Sequence, residues 1–338
     1  MQVHTPFRRN LFKAAIALAL CAGPLAHAAP DPALRPGDDF FGYVNGDWLK
    51  TVQIPADRSR WGIAGELAEL NNQRLLKLIE EAGRNASAEA RMVADFYHTS
   101  FDEAAIEAQG LAPLQKVLAP LAAIQDKAQL TRALGASLRA DVDPLNATNF
   151  NTENLFGLWI AQGLTDPAHN TAYLLQGGLG MPDRAYYLDD KPAMQTLRDK
   201  YQAHIAAVFR LAGLDQAEAR AARVLALETK IARSHASRED SADIQKANNN
   251  WKASDFASKA PGMDWKLFLQ SAGLGQQQKF IAYHPGALRG AAALVGSEPL
   301  EAWKDFLAFH TINHLSTALP KALADQHFES EPENRTGT

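Results

Sequence analysis

Histidines are the first place to look for chemistry in this chain of 338 residues, which carries ten of them and a single cysteine. His310-Thr311-Ile312-Asn313-His314 has the i, i+4 separation at which two imidazoles on one helix face can share a zinc ion. A zinc peptidase also needs a glutamate beside the first histidine as general base, and Thr311 stands there instead. No histidine in the chain is followed by Glu. No nearby carboxylate offers an obvious third ligand. The pattern therefore reads as inward histidines of a buried helix, sharing a face with Trp303 and Leu307 and making local hydrogen bonds. On this reading the chain holds no metal and no other cofactor.

The remaining signatures are weaker. Gly177-Gly178-Leu179-Gly180 lacks the third glycine of a dinucleotide fingerprint, since Asp183 stands at that position and Pro182 interrupts the helix start, so a tight turn is expected. There is no GxSxG elbow and no Walker A sequence. Acidic pairs such as Asp189-Asp190 and Glu80-Glu81 are what a solvated surface carries. The Asn-x-Ser/Thr sites at Asn85, Asn146 and Asn334 are common enough by chance to prove nothing. With 34 basic against 38 acidic residues there is no positive excess to meet a phosphate backbone, and nucleic acid is excluded as a partner.

Residues 1–28 read as a secretory signal peptide. Arg8, Arg9 and Lys13 precede a short apolar stretch around Ala14–Leu20, and Ala26-His27-Ala28 suits a small-x-small cleavage site. The stretch is well short of the ~20 apolar residues that span a bilayer. Arg8-Arg9-Asn10-Leu11-Phe12-Lys13 approaches a twin-arginine signal, and Leu18-Ala19-Leu20-Cys21 approaches a lipoprotein box with Leu where a small residue belongs. Removal of residues 1–28 would take away three positive charges and the cysteine, leaving an acidic, thiol-free protein in the periplasm or the medium.

The elements that must position any site are mainly helical. Residues 31–54 are aromatic and Gly-rich with little helical period, and read as a docked lead-in segment. Leu75, Leu78, Ile79 and Ala82 then fall at i, i+3, i+4, i+7, with Gly83 at the C-terminal end. Ser100 with Glu103, Asp126 with Gln129, and Asp215 with Glu218 have the spacing of capping boxes. Leu155–Gln162 and Thr171–Gln176, separated by a turn-rich linker, predict a β-hairpin. Helices resume behind Pro192, and Glu298–Leu319 is apolar nearly all round, as a buried helix is. From His327 the chain is polar and is expected to fray.

Four strings, in order, resemble the N-terminal region of the neprilysin-like zinc metallopeptidases. The first is Gly37-Asp38-Asp39-Phe40-Phe41-Gly42-Tyr43-Val44-Asn45-Gly46-Asp47-Trp48-Leu49, followed by Ile54-Pro55 and Arg60-Trp61-Gly62. The second is Gly178-Leu179-Gly180-Met181-Pro182-Asp183-Arg184-Ala185-Tyr186-Tyr187-Leu188. The third is Ser237-Arg238-Glu239-Asp240 with Lys246-Ala247-Asn248-Asn249, and the last is Asp264-Trp265 with Phe268-Leu269. The resemblance implies a mainly α fold: the multi-helical capping lobe of such a peptidase over residues 31–326, with a small hairpin near 155–176 and a polar tail over 327–338. The cysteine-free mature chain suits the bacterial, oligopeptidase-like branch.

The family's HExxH helix, third zinc ligand and substrate strand lie in the C-terminal half, and none of them occurs in this sequence. The resemblance therefore implies the front portion of a secreted zinc endopeptidase for oligopeptides, inactive alone, with zinc belonging to the full-length enzyme and a C-terminal catalytic half as partner. The alternative is a non-enzymatic periplasmic module that binds peptides or a partner. One substrate-binding residue is implied. Ile54-Pro55-Ala56-Asp57-Arg58-Ser59-Arg60-Trp61-Gly62 matches the motif whose arginine, in animal relatives, contacts the C-terminal carboxylate of the bound peptide, and Arg60 stands on it. A guanidinium fork suits that task. The residues alone also allow a surface ion pair, with Asp57 as the candidate partner. An acidic residue that assists in the animal enzymes is replaced here by Gly65.

Overall fold

The computed structural model describes residues 31–330 except 56, 57, 59, 85, 86, 144, 148, 149 and 151. The expected signal peptide, the Asn85 and Asn334 sites and the tail beyond Ser330 lie outside those residues. The chain separates into two compact units, with the boundary between Asn72 and Gln73. Each is described by itself.

In the first unit the lead-in segment proves to be a helix, α1 (Phe40–Thr51). Asp39 caps it by accepting from the Gly42 amide at 2.8 Å. The buried residues of α1 are Gly42 and Gly46, one turn apart. A Cβ on Gly46 would come within 2.8 Å of the Asp31 side chain, and one on Gly42 within 2.9 Å of Leu34. The helix thus packs through a stripe of glycines against residues 31–34, which a search for apolar periodicity passes over. Lys50 pairs with Asp31 at 2.8 Å, and the Trp48 indole donates to Glu66 at 2.7 Å, in the first turn of α2 (Ile63–Ala82).

No residue of α2 is buried: of the stripe expected from the sequence, Leu75 and Leu78 are exposed and Ile79 and Ala82 half-buried, and Leu67 and Leu70 earlier in the helix are exposed too. On α3 (Ala88–Ser100) only Ala94 is buried, while Met92, Val93 and Phe96 face solvent. Apolar stripes of this size normally mark a surface that another element covers.

The second unit is built around a four-stranded sheet of order β1-β2-β4-β3. The expected hairpin is present as β1 (Phe156–Gln162) and β2 (Asn170–Gln176), antiparallel, with Phe156 opposite Gln176. It is extended by two short strands. β3 (Asn250–Lys252) runs antiparallel to β4 (Lys279–Ala282), and β4 runs parallel to β2, with Ala172 beside Phe280. One face buries Phe156, Leu158, Leu174 and Phe280 in the main core; the other buries Tyr173, Leu175 and Ile281. Covering on both faces explains why the strands read as continuous apolar runs.

Around the sheet lie α4 (Lys127–Ala136), α5 (Pro192–Leu211), α6 (Ala217–Ser234), α7 (Trp265–Ser271), α8 (Pro285–Ser297), α9 (Leu300–Leu315) and α10 (Lys321–Ser330). The capping expectations divide. Asp126 caps α4, accepting from the Gln129 amide at 2.7 Å. Ser100 instead ends α3, and the next helix, Glu103–Gln109, is capped by Asp102. Asp215 does not cap α6 either: Gln216 holds that place at φ +55° with no side-chain cap bond, and Glu218 pairs with Arg210. Helix α9 is the expected buried helix, with Trp303, Phe306, Phe309 and Ile312 in the core. Asp305, also sealed, receives both Arg220 and Arg223 of α6. The polar stretch from His327 starts inside α10, whose last residues are His327–Ser330.

Candidate functional site

Arg60 lies in the non-helical stretch ahead of α2, exposed, and forms no hydrogen bond or ion pair among the described residues. Asp57, the candidate ion-pair partner, falls outside them. Beside Arg60, the Trp61 ring lies against Gly65, where an added Cβ would stand 3.0 Å from the indole. The Trp61 ring thus covers Gly65, which offers the guanidinium no carboxylate.

A cavity of about 400 Å³ opens in the second unit where β2 ends. Its walls come from Gln176 and the Gly177–Asp183 turn on one side, from His235–Ser241 on the other, and from Phe150. The glycine run makes this turn possible. Gly178 has φ +81°, and a Cβ on Gly177 would fall 2.2 Å from the Asn154 carbonyl oxygen. Asp183 then caps the short helix Arg184–Leu188 and pairs with Arg238 at 3.2 Å. The buried Gln176 amide holds the two walls together, accepting from the Ala236 N–H at 2.8 Å. Phe150 adopts a left-handed backbone at φ +60°, with its ring edge-on to His284 at 5.8 Å.

The buried His235 lines this cavity, the buried His284 touches its lining residues Gln176, Ser241 and Phe150, and the tautomers of both follow from their partners. Nε2 of His235 lies 3.0 Å from the Gly177 carbonyl, which can only accept, so it carries the proton. Burial drives the pKa of His235 down to about 4, and that of His284 to about 3. His284 accepts the Gln176 N–H at Nδ1 and stands 3.0 Å from Ser241 Oγ through Nε2. That spacing resembles a serine–histidine dyad, but the imidazole donates to the hydroxyl, and Ser241 donates to the Ser237 carbonyl at 2.7 Å. No lone pair is available to take the hydroxyl proton, so the arrangement binds and positions but does not make a nucleophile.

The histidine pair of the sequence is split by the fold. His310 is buried, whereas His314 is exposed and does not share its inward face. His310 Nε2 lies 2.9 Å from Glu228 Oε1, and Nδ1 is 3.8 Å from Glu153 Oε1, within ion-pair but not hydrogen-bond range. Glu228 is itself sealed and also receives Tyr187 at 2.7 Å and Tyr201 at 3.1 Å. Burial works against a charge on His310, but the two carboxylates outweigh it and hold the pKa up at about 9. Burial likewise pushes Glu153 up, and His310 with Asn313 more than reverses that, leaving it below the ordinary carboxylate value. With Nε2 of His310 committed to Glu228 and His314 facing solvent, the pair does not suit zinc. Among the described residues no three His, Cys, Asp or Glu side chains gather in a form that could hold a metal ion.

A sequence model of Peptidase family M13, for the N-terminal domain, matches residues 36–338. Endothelin-converting enzyme 1 of Rattus norvegicus is 23% identical over 310 residues, which are 90% of this chain and 39% of the relative. Endothelin-converting enzyme-like 1 of Mus musculus is 24% identical over 317 residues, 89% of this chain and 40% of the relative. Among solved structures, the zinc metalloprotease Zmp1 of Mycobacterium tuberculosis, in complex with an inhibitor, superposes with a TM-score of 0.79 at 28% identity, over 90% of this chain and 46% of that one. PepO from Lactobacillus rhamnosis superposes at 0.68 with 18% identity, over 90% of this chain and 49% of that one, a likeness of fold. The chain spans about two-fifths of the length of the curated relatives it matches.

Proposed function

Because the chain belongs to peptidase family M13, we propose that it is the front portion of an exported zinc metalloendopeptidase acting on oligopeptides, and that it contributes substrate contacts while the metal is held elsewhere. One observation carries the reading: the N-terminal-domain match runs through nearly all of the chain, while relatives named as enzymes are more than twice as long. In the family the zinc supplies Lewis-acid polarisation and an activated water. The described residues do not gather a set that fits that ion, and hydrolysis is assigned to a catalytic half outside this sequence.

Within the reading, Arg60 is the anchor for the C-terminal carboxylate of a bound peptide. What supports it is the matching motif together with an exposed guanidinium that has no partner among the described residues; the assisting acid of the animal enzymes is absent at Gly65, so the anchor rests on the guanidinium alone. A bidentate pair there would hold the peptide end in register without contributing to bond cleavage. Export rests on the sequence of residues 1–28, and sequencing the N-terminus of protein recovered from the periplasm or medium tests it.

The enzymatic proposal is tested by assaying the purified chain with zinc and a fluorogenic oligopeptide, alone and after joining to the segment encoded downstream. The chain alone is expected to be inactive, and the joined protein to show chelator-sensitive hydrolysis. Chelator-sensitive hydrolysis that follows the isolated chain through purification would overturn the proposal.

A further inference from the structure

We propose that the cavity between the end of β2 and the helix Arg238–Ala242 is a binding site for the C-terminal residue of a peptide, held by its carboxylate on Arg238 and by a backbone N–H on His235. It uses none of the residues assigned to the Arg60 anchor.

His235 keeps an unused lone pair. His235 is 8% exposed and lines the cavity. Its Nε2–H is committed to Gly177, which leaves Nδ1 as an acceptor with no partner among the described residues. The unpartnered side-chain atom sealed from solvent among those residues is His310 Nδ1, so Nδ1 of His235 keeps some exposure, on a residue that lines the cavity. The imidazole is neutral across the physiological range, because burial holds its pKa near 4. An acceptor fixed in this way selects a ligand that brings an N–H or O–H.

Arg238 supplies the second contact. Its Nε lies 3.2 Å from Asp183, its side chain is 76% exposed, and it makes no hydrogen bond among the described residues, so both terminal nitrogens are open to an anion. The flexible arm is thus partly steered by Asp183 without being used up. Leu179, Pro182 and Phe150 supply apolar lining to the same cavity. A guanidinium for an acid, a neutral acceptor for a donor, and an apolar lining describe an N-acylated amino acid with a free carboxylate. About 400 Å³ accommodates one or two residues of that kind. Naming the ligand as a peptide rests on the peptidase reading above; the recognition chemistry does not.

Calorimetric titration of the purified chain with N-acetyl-alanyl-leucine tests this without requiring turnover, so a failed reconstitution of activity leaves it readable. Saturable one-to-one binding is expected, weaker by about tenfold or more for the C-terminal amide, for the leucine N-methyl analogue and for the Arg238→Gln protein. Arg238→Gln removes an exposed ion pair and leaves the fold intact. The titrations are run in the Arg60→Met background, so that the anchor assigned to Arg60 contributes nothing to them. No saturable binding at millimolar peptide, equal binding of acid and amide, or undiminished binding after Arg238→Gln would each overturn the proposal.

Discussion

Replacing His310 by Gln removes one positive charge from the middle of the second unit and keeps a side chain able to donate to Glu228. In the unmodified protein that charge faces the sealed Glu228 at 2.9 Å and the partly exposed Glu153 at 3.8 Å. A pKa of about 9, against 6.5 in the unfolded chain, is worth about 3 kcal/mol. A raised folded pKa places the sign. The stabilisation is complete below pH 6.5, falls as pH rises between 6.5 and 9, and is gone above that. Tyr187 and Tyr201 do not confuse the window, since burial and Glu228 hold both phenols well above 10. Breaking one side of a buried pair costs ~3–5 kcal/mol in other proteins, in the same range. Urea unfolding monitored by tryptophan fluorescence at pH 6.5, 8 and 9.5 is the assay. His310→Gln should be less stable by about 3 kcal/mol at pH 6.5 and nearly equal to the unmodified chain at pH 9.5. A constant difference at all three values would refute the assignment of a charged imidazole, leaving only lost packing.

Four further outcomes are expected. In a full-length enzyme rebuilt around this chain, Arg60→Met should raise KM for peptides with a free C-terminus more than for their amides, and equal changes would remove Arg60 from the site. Asp305→Ala leaves Arg220 and Arg223 without their buried acceptor, but both reach solvent, so a loss of about 1–3 kcal/mol is expected in urea unfolding. Gly135→Ala would press a methyl group to 2.5 Å from the Phe268 carbonyl where α4 crosses α7, costing about 1–3 kcal/mol, read as a lowered Tm. Equimolar zinc should leave the Tm of the chain unchanged; a large rise abolished by His314→Ala would contradict the geometry of the histidine pair.

Much of the helical frame was legible because apolar periodicity and Asp caps are local signals. The hairpin was legible for the same reason, since its two strands read as apolar runs around a turn. What escaped was non-local or rested on small residues. Helix α1 hides behind Gly42 and Gly46, whose value lies in having no side chain. β3 and β4, of 3 and 4 residues, are too short to show alternation and exist because of the strands beside them. The cap at Ser100 failed by two positions because Asp102, an equally good cap, stood nearer the helix that follows. The site was partly visible. Resemblance singled out Gly178–Leu188 and Ser237–Asp240, but nothing in either string says that they face each other across a cavity. The inward placement of His310 was readable from its neighbours, whereas Glu228, 82 residues earlier, was not.

The parallel pairing of β2 with β4 governs the order in which this protein can be finished. These two strands form the middle of the sheet, yet ~100 residues separate them, a stretch that takes a ribosome roughly 5–20 s to make. Throughout that interval the hairpin has been synthesised and β2 presents a bare edge, with Leu174 and Leu175 directed to opposite faces that nothing yet covers. The gap is filled only when Phe280 reaches Ala172. Nascent chains halted before Lys279 should therefore be held by chaperones or aggregate, and the last sixth of the sequence acts as the keystone for strands translated long before it.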